Sequence, residues 1–398
     1  MSTILLAWEL GAGMGHLTTL RPIGHALALR GHRVVAAVRD LTRVRGIFAG
    51  TDISYIPAPV YPRKGKGPVE NPLSFAHLLA NIGFTHQNAL ETILSAWGTL
   101  IECVRPDMVV AEHSPTALLA LRDLQIPRVA VGTGFTCPPD SCPLAHGSRN
   151  GQTADPEQLA RDETTVLGHV NRALESRARR PLATLGQLFN EVDEVFLATY
   201  RELDHFGERT GARYWGHWPF GVGIEPVWPA GEGSKVFAYL KPFPALEDLL
   251  RVLRAAGLPT IVVADNLDRG LVERYASATL FFEPRPVDLR AAAADCDLAI
   301  LNAGHGTTVA MLLAGKPCLL LPIYMEQLLL AKKVEQLGAG CLAPLRSGPR
   351  LAEILQEMLA SAQYGKRARD FAARYRGFSP GQQVAEVVDR IEQRLGSR

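Results

Sequence analysis

The sequence predicts an α/β protein of two Rossmann-like domains with parallel sheets. Short apolar runs alternate with longer helical stretches along nearly the whole chain, the grammar of strands joined by crossover helices. Glycine-rich turns follow the first run of the N-terminal half and a late run of the C-terminal half. A break rich in Gly, Pro and Trp, Phe206–Ser234, divides the runs into two series. At 398 residues the chain is long enough for two or three domains.

The first series reads Ile4–Trp8, Val34–Val38, Ile53–Ile56, Met108–Ala111, Val129–Val131 and Val195–Ala198. The second reads Val236–Leu240, Ile261–Ala264, Leu280–Phe282, Leu298–Leu301 and Leu319–Leu321. Each is short and apolar enough for a buried strand. Helical spacing marks Leu17–Arg30, Leu73–Cys103 and Ala245–Ala256 among the intervening stretches. These runs divide the chain into an N-terminal domain over 1–205, a linker over 206–234 and a second domain over 235–378. Two such domains facing each other would leave a cleft, the usual place for a site. No internal sequence repeat stands out. The segments 59–72, with Arg63, Lys64 and Lys66, and 133–156 follow strands of the first half, and at least one of them is expected to reach the cleft and shape the choice of acceptor.

Composition excludes several classes. Hydrophobic content of 47% and charged content of 21% are ordinary for a folded globular chain. A net charge of +2 gives no global pull toward nucleic acid or membrane. No apolar run approaches the roughly 18 residues that span a bilayer, so no transmembrane segment is expected. Ile4–Trp8 lacks the basic flank of a signal peptide. The six cysteines are scattered: Cys103, Cys296, Cys318 and Cys341 read as reduced core residues, and Cys137 with Cys142 have no second pair to complete a zinc set. A reducing cytoplasm fits that usage.

The most informative stretch runs from Asp297 to Gln327. The strand Leu298–Leu301 leads into Asn302-Ala303-Gly304-His305-Gly306-Thr307-Thr308 and a helix ended by Gly315 and Pro317. Gly304 and Gly306 are expected to let the backbone turn and approach a ligand. The helix N-terminus, with Thr307 and Thr308, offers N–H and hydroxyl donors to a phosphate, and His305 lies within the same turn. Cys318–Leu321 is the next strand, and Glu326-Gln327 follow where ligands gather in open α/β sheets. A carboxylate beside an amide suits sugar hydroxyls, so the stretch reads as a cradle for a sugar diphosphate.

The first loop, Gly11-Ala-Gly13-Met-Gly15-His16, invites a dinucleotide-binding reading, with Asp40 where a ribose acid would sit. The sixth place of that fingerprint needs Gly or Ala for close helix packing, and here it holds His16. His16 instead opens a helix at the end of a strand, where an imidazole can serve as general base. Glu112, ending the run Met108–Ala111, is the candidate to orient it, and His113 is the rival base. His25, His32, His77 and His86 read as structural, and Asp107 as a turn or capping residue.

These residues resemble the nucleotide-sugar glycosyltransferases of the GT-B fold, in particular the inverting family of UDP-glucuronosyltransferases and of plant and bacterial natural-product enzymes. The N-terminal match is Gly13-Met-Gly-His16 through Gly31-His32-Arg-Val34. The C-terminal match is Asn302–Thr307, Leu312–Pro317, Pro322, Glu326-Gln327 and Ala331–Gly340. The resemblance implies an acceptor-binding first domain, with Gly13, Gly15 and His113 on the acceptor side. It implies a donor-binding second domain and a last helix, over 379–398, crossing back to the first. His16 then looks like the base and Glu112 takes the place of the usual aspartate partner. Gly304, Gly306 and Thr307 match the diphosphate cradle, and the turn with Arg285 takes the place that holds the nucleotide base. The chain departs from the pattern at Asn302, where the family has a phosphate-contacting histidine, at Ala303 in place of glycine, and at Lys241-Pro242 in place of Gly-Ser. Lys241 can offer the diphosphate a compensating charge.

The expected reaction is a single in-line displacement on a UDP- or dTDP-sugar by a hydroxyl of a small acceptor. No resident cofactor or catalytic metal is expected, since no acidic pair stands out. The alternatives are a non-catalytic partner of another glycosyltransferase, a sugar-nucleotide epimerase on the same fold, and a transferase using a lipid-linked acceptor, for which Arg63–Lys66 is a hint.

Overall fold

In a computed structural model the chain forms two compact units, Met1–Trp218 with Ser379–Arg398, and Pro219–Phe378. The structure describes residues 1–11, 13–61, 67–144, 154–218, 223–264, 267–343 and 348–396. Arg63, Lys64 and Lys66 lie outside them, as does the middle of the 133–156 segment.

The first unit is built on an all-parallel sheet of β1 (Thr3–Trp8), β2 (Arg33–Val38), β3 (Ile53–Pro57), β4 (Met108–Glu112), β5 (Arg128–Gly132) and β6 (Glu194–Leu197), in the order β3-β2-β1-β4-β5-β6. The second is built on β7 (Val236–Leu240), β8 (Thr260–Ala264), β9 (Leu280–Glu283), β10 (Leu298–Leu301), β11 (Cys318–Leu320) and β12 (Gly340–Leu342), in the order β12-β11-β10-β7-β8-β9. Counted within each unit, both orders are 3-2-1-4-5-6. This is the doubly wound arrangement that gathers ligands at the strand ends where the winding reverses. Those ends belong to β1 and β4 in one unit, and to β7 and β10 in the other. The central strands are buried on both faces, which is why they read as continuous apolar runs rather than alternating ones.

An aspartate pins the start of the fourth strand in each sheet. Asp107 accepts from Thr3 N at 2.7 Å and its own N–H donates to Thr3 O at 2.8 Å. Asp297 accepts from Lys235 N at 2.8 Å and its N–H donates to Lys235 O at 2.8 Å. The turn role read for Asp107 is thus a cross-strand clamp, made twice.

Three readings are corrected. No apolar run announces β12; it pairs with β11 because Gly340 lets the chain approach, and a Cβ there would stand 2.4 Å from Cys318 O. The stretch Leu73–Cys103 is not one helix. Phe75–Leu79 runs into a wide turn at Ala80–Phe84, with Gly83 at φ 101°, before the helix Gln87–Val104. Asn81 in that turn exchanges two 2.9 Å hydrogen bonds with the backbone of Val69, which fixes the break. Cys103 is exposed rather than core, whereas Cys137, Cys296 and Cys318 are buried; all six thiols are free.

The Gly/Pro/Trp-rich stretch is built into the units. Trp215 and Trp218 are buried in the first unit's core, and Leu197 bridges to Tyr214. Ile224 bridges to Val287 within the second unit. The helix Pro380–Gly396 returns to the first unit, where Val384, Val387, Val388 and Ile391 pack in the same core as Ile23, Leu27 and Trp215. Arg30 reaches Asp389 at 2.6 Å and His32 reaches Glu392 at 2.9 Å, so Arg30-Gly31-His32 grips the returning helix. Among the described residues no helix is long and apolar enough to cross a membrane.

Candidate active site

The first unit brings His16 and Glu112 together at its switch point. His16 lies in the first turn of the helix Gly15–Leu29, and Glu112 is the last residue of β4, paired in register with Trp8. His16 Nδ1 lies 2.7 Å from Glu112 Oε2, and both side chains are buried. A carboxylate only accepts, so Nδ1 carries the hydrogen and donates. The ring stacks on Trp8 at 5.3 Å and 19°, while Trp8 Nε1 donates to Leu10 O at 2.6 Å. The imidazole also fills the space above Gly11. That residue has φ +85°, and a Cβ there would stand 2.1 Å from His16 Nε2. Gly132, at the end of β5, makes room for Thr136, whose hydroxyl oxygen a Cβ there would meet at 2.0 Å; Glu112 Oε1 would lie 3.3 Å away.

The rival base is held differently. His113 has φ 45°, the left-handed region that strains a branched or bulky residue, and its carbonyl accepts from Leu10 N at 3.0 Å. Its Nδ1 is buried without a partner among the described residues. Burial, then the nearby His16 and Arg39, hold its pKa well below the usual imidazole value. A neutral, weakly basic ring makes a poor proton acceptor at neutral pH. Gly13 adopts φ +106°, but Gly15 is helical with open space where a Cβ would go, so none of the described residues requires glycine there. Asp40 caps its own turn, accepting from Thr42 N at 2.8 Å and from the Thr42 hydroxyl at 2.6 Å.

In the second unit the glycine turn is built otherwise than its sequence suggests. The left-handed residue is Ala303, at φ 58°, in the place the family gives to glycine; such a conformation costs an alanine about 1–2 kcal/mol. Gly304 is extended and serves as N-cap of the helix His305–Leu313, with open space above its Cα. Its glycine leaves room rather than making the bend. Thr308 is completely buried and its hydroxyl finds no partner among the described residues; Thr307 is half-buried. His305 and Gly306 open the helix, and His305 is buried.

Asn302 is committed within the protein. Its Oδ1 accepts from Lys241 N at 2.5 Å and its Nδ2 donates to Leu321 O at 2.8 Å, tying together the ends of β7, β10 and β11. The Lys241 ammonium stands 5.9 Å from the ring of Tyr324, which is 54% exposed. Gln327 directs its carbonyl oxygen back to Ile323 N at 2.8 Å and Tyr324 N at 3.3 Å, which leaves its amide nitrogen as what it can offer a ligand. Glu326, beside it, is half-buried in the first turn of the helix Met325–Gln336. Arg285 is held by Glu283 through contacts of 2.8 and 3.1 Å.

Trp8, Glu9 and Tyr324 were passed over in the sequence. Trp8 ends β1, Glu9 follows it, and Tyr324 caps the helix after β11; their placement beyond strand ends was the available signal.

No family model matches the chain. Segments of it are similar to a terpene cyclase-glycosyl transferase fusion protein of Humicola fuscoatra (34% identity over 109 residues, 24% of this chain and 8% of that protein). Others are similar to a sterol 3-beta-glucosyltransferase of Kluyveromyces lactis (30% over 100 residues, 25% and 8%) and an uncharacterized glycosyltransferase of Mycobacterium leprae (36% over 99 residues, 24% and 23%). The matches thus span less than a quarter of any of these relatives. The fold is similar over nearly the whole chain to solved glycosyltransferases. VinC in complex with dTDP superposes with a TM-score of 0.68 at 15% identity, covering 98% of this chain and 100% of that one. The calicheamicin glycosyltransferase CalG4 gives 0.70 at 16%, covering 100% and 98%. The spinosyn rhamnosyltransferase SpnG with spinosyn aglycone gives 0.60 at 17%, covering 97% and 100%. The chain therefore has the GT-B fold of the natural-product glycosyltransferases.

Proposed function

We propose that this protein is an inverting glycosyltransferase that moves a sugar from a UDP- or dTDP-linked donor to a hydroxyl of a small-molecule acceptor. The observation that carries the reading is the buried 2.7 Å contact between His16 Nδ1 and Glu112 Oε2 at the first switch point. Glu112 holds the ring in one tautomer and stabilises the imidazolium that forms, so proton removal from the acceptor falls to Nε2. As the acceptor oxygen attacks the anomeric carbon, the bond to the diphosphate breaks on the opposite face and the configuration inverts.

The second unit supplies the donor site. Backbone N–H groups at the start of the helix His305–Leu313 receive the diphosphate, where the helix dipole offsets the charge that grows on the leaving group. Lys241 adds a cation. Glu326 and the Gln327 amide meet the sugar hydroxyls, and the Phe282–Val287 turn, stiffened by the Arg285–Glu283 pair, meets the base. The dTDP of VinC and the aglycone of SpnG support donor and acceptor classes of this kind. The reading needs no resident cofactor or metal, and six free thiols suit a cytoplasmic setting.

A thermal-shift screen of UDP-, dTDP- and GDP-sugars tests the donor half, because a ligand specific for the folded state raises its Tm. One nucleotide class should stabilise the protein, and nucleotide should then be released only when an acceptor is present. Isomerised donor without any acceptor would make it an epimerase instead. Lys241→Ala should weaken the preferred donor; unchanged affinity removes that residue from the site.

A further inference from the structure

The mechanism makes no use of Glu9, yet its buried carboxylate lies between the loops that carry the two halves of the dyad. It follows β1 in the loop that leads to His16. It accepts from Thr116 N at 2.9 Å, from the Thr116 hydroxyl, and from Ala117 N at 3.3 Å. Those residues open the helix Pro115–Leu121, directly after Glu112-His113-Ser114. Beside this side-chain strap runs a backbone one, from Leu10 N to His113 O. The charged group facing Glu9 is Arg39, at the end of β2, whose guanidinium donates to Glu9 O at 3.0 Å; the helix side presents only N–H and hydroxyl donors.

The second unit shows what is unusual here. Lys241 follows β7 as Glu9 follows β1, and Gly306 and Thr307 stand after Asn302 as Thr116 and Ala117 stand after Glu112. One unit carries a cation where the other carries an acid. In the first unit the chain's own carboxylate occupies the helix N–H groups that, in the second, the proposed function leaves for a diphosphate.

We propose that Glu9 is a positioning residue, whose carboxylate clamps the turn after β4 to the loop after β1 and so keeps Glu112 in register with the His16 imidazole. Its catalytic consequence rests on the role proposed for that pair. The clamp works by hydrogen bonding, and a glutamine can reproduce it. The amide oxygen takes the two backbone N–H groups and the amide nitrogen donates to the Thr116 hydroxyl. An alanine leaves three donors without their acceptor.

The test compares Glu9→Ala and Glu9→Gln in the full chain. It measures kcat, KM for each substrate, and the low-field proton resonance of His16 Nδ1–H in histidine-labelled protein. Glu9→Ala should lower kcat by about 10- to 100-fold, the scale of a small misplacement of a reacting group. Donor KM should hold, and the His16 resonance should move or broaden. Glu9→Gln should restore both at pH 8. Should Glu9→Ala fail to fold, Thr116→Val removes one strand of the clamp and should give the same changes in smaller measure. Unchanged kcat and resonance in Glu9→Ala, or equal damage from Glu9→Gln, overturns the proposal. The resonance reports on the clamp even if His16→Ala proves fully active. Loss of the proposed function and loss of the clamp are thus told apart.

Discussion

The two switch points share one backbone path and carry different side chains. Counted from the pinned aspartates, Glu112 and Asn302 are each five residues on, and the next residue, His113 or Ala303, is left-handed in both units. The residue after that, Ser114 or Gly304, is the N-cap of the following helix. In each unit the side chain ending or following the fourth strand reaches the segment that follows the first strand: Glu112 to His16 at 2.7 Å, Asn302 to Lys241 N at 2.5 Å. The first unit fills its turn with an acid, an imidazole and an internal carboxylate. The second spends its amide on holding strand ends and leaves the helix start open above Gly304. Topology decides where a site can be, and a few side chains decide what chemistry the place can support.

The largest effect that would break this contrast is on His16. His16→Ala should lower transfer at least ~100-fold while nucleotide binding, measured by calorimetry, is unchanged. Near-normal turnover would move the base elsewhere. Gly11→Ala comes next: the ring it would displace is pinned by Trp8 and Glu112, and φ +85° disfavours any side chain. A loss of about 10- to 100-fold in kcat is expected, with donor KM kept.

Glu9 sharpens the contrast through pH. Burial pushes its pKa up to about 7, against weaker opposing effects of Thr116, Ala117 and Arg39. The folded state therefore keeps a proton that the unfolded chain has already lost. The stability from this group is full at acid pH and is lost as pH rises through about 7. Denaturant melts from pH 5 to 8 should show the wild type losing on the order of 2–3 kcal/mol relative to Glu9→Gln. Parallel curves would contradict that assignment. Asn302→Ala should cost about 1–3 kcal/mol, because Lys241 N and Leu321 O lose their partner in the interior. A neutral result in the same melts would mean that the strand ends hold without it. Gly15→Ala should do least, changing neither Tm nor kcat measurably.

Most of the sheet architecture could be read from the sequence, because strands buried on both faces leave unbroken apolar runs. The pairing of His16 with Glu112 could be anticipated from their places at strand ends, before any distance was known. The repeat between the units could not. Its shared signature is an aspartate, four apolar residues and a turn, as in Asp107-Met-Val-Val-Ala-Glu112 and Asp297-Leu-Ala-Ile-Leu-Asn302, and so short a pattern is lost among ordinary strands. The role of Asn302 was hidden for another reason. An asparagine beside a phosphate-type turn reads as a ligand donor, and only the folded backbone shows Lys241 N and Leu321 O claiming it. Glu9 escaped notice because its partners, Thr116 and Ala117, stand over a hundred residues away.

The returning helix has a consequence for the order of events at the ribosome. The first unit takes Val384, Val387, Val388 and Ile391 into its core, so it is synthesised first and completed last. All of residues 219–378 must emerge before the apolar patch around Ile23, Leu27 and Trp215 is covered. A nascent chain carrying the His16 loop therefore waits, partly open, for its own tail.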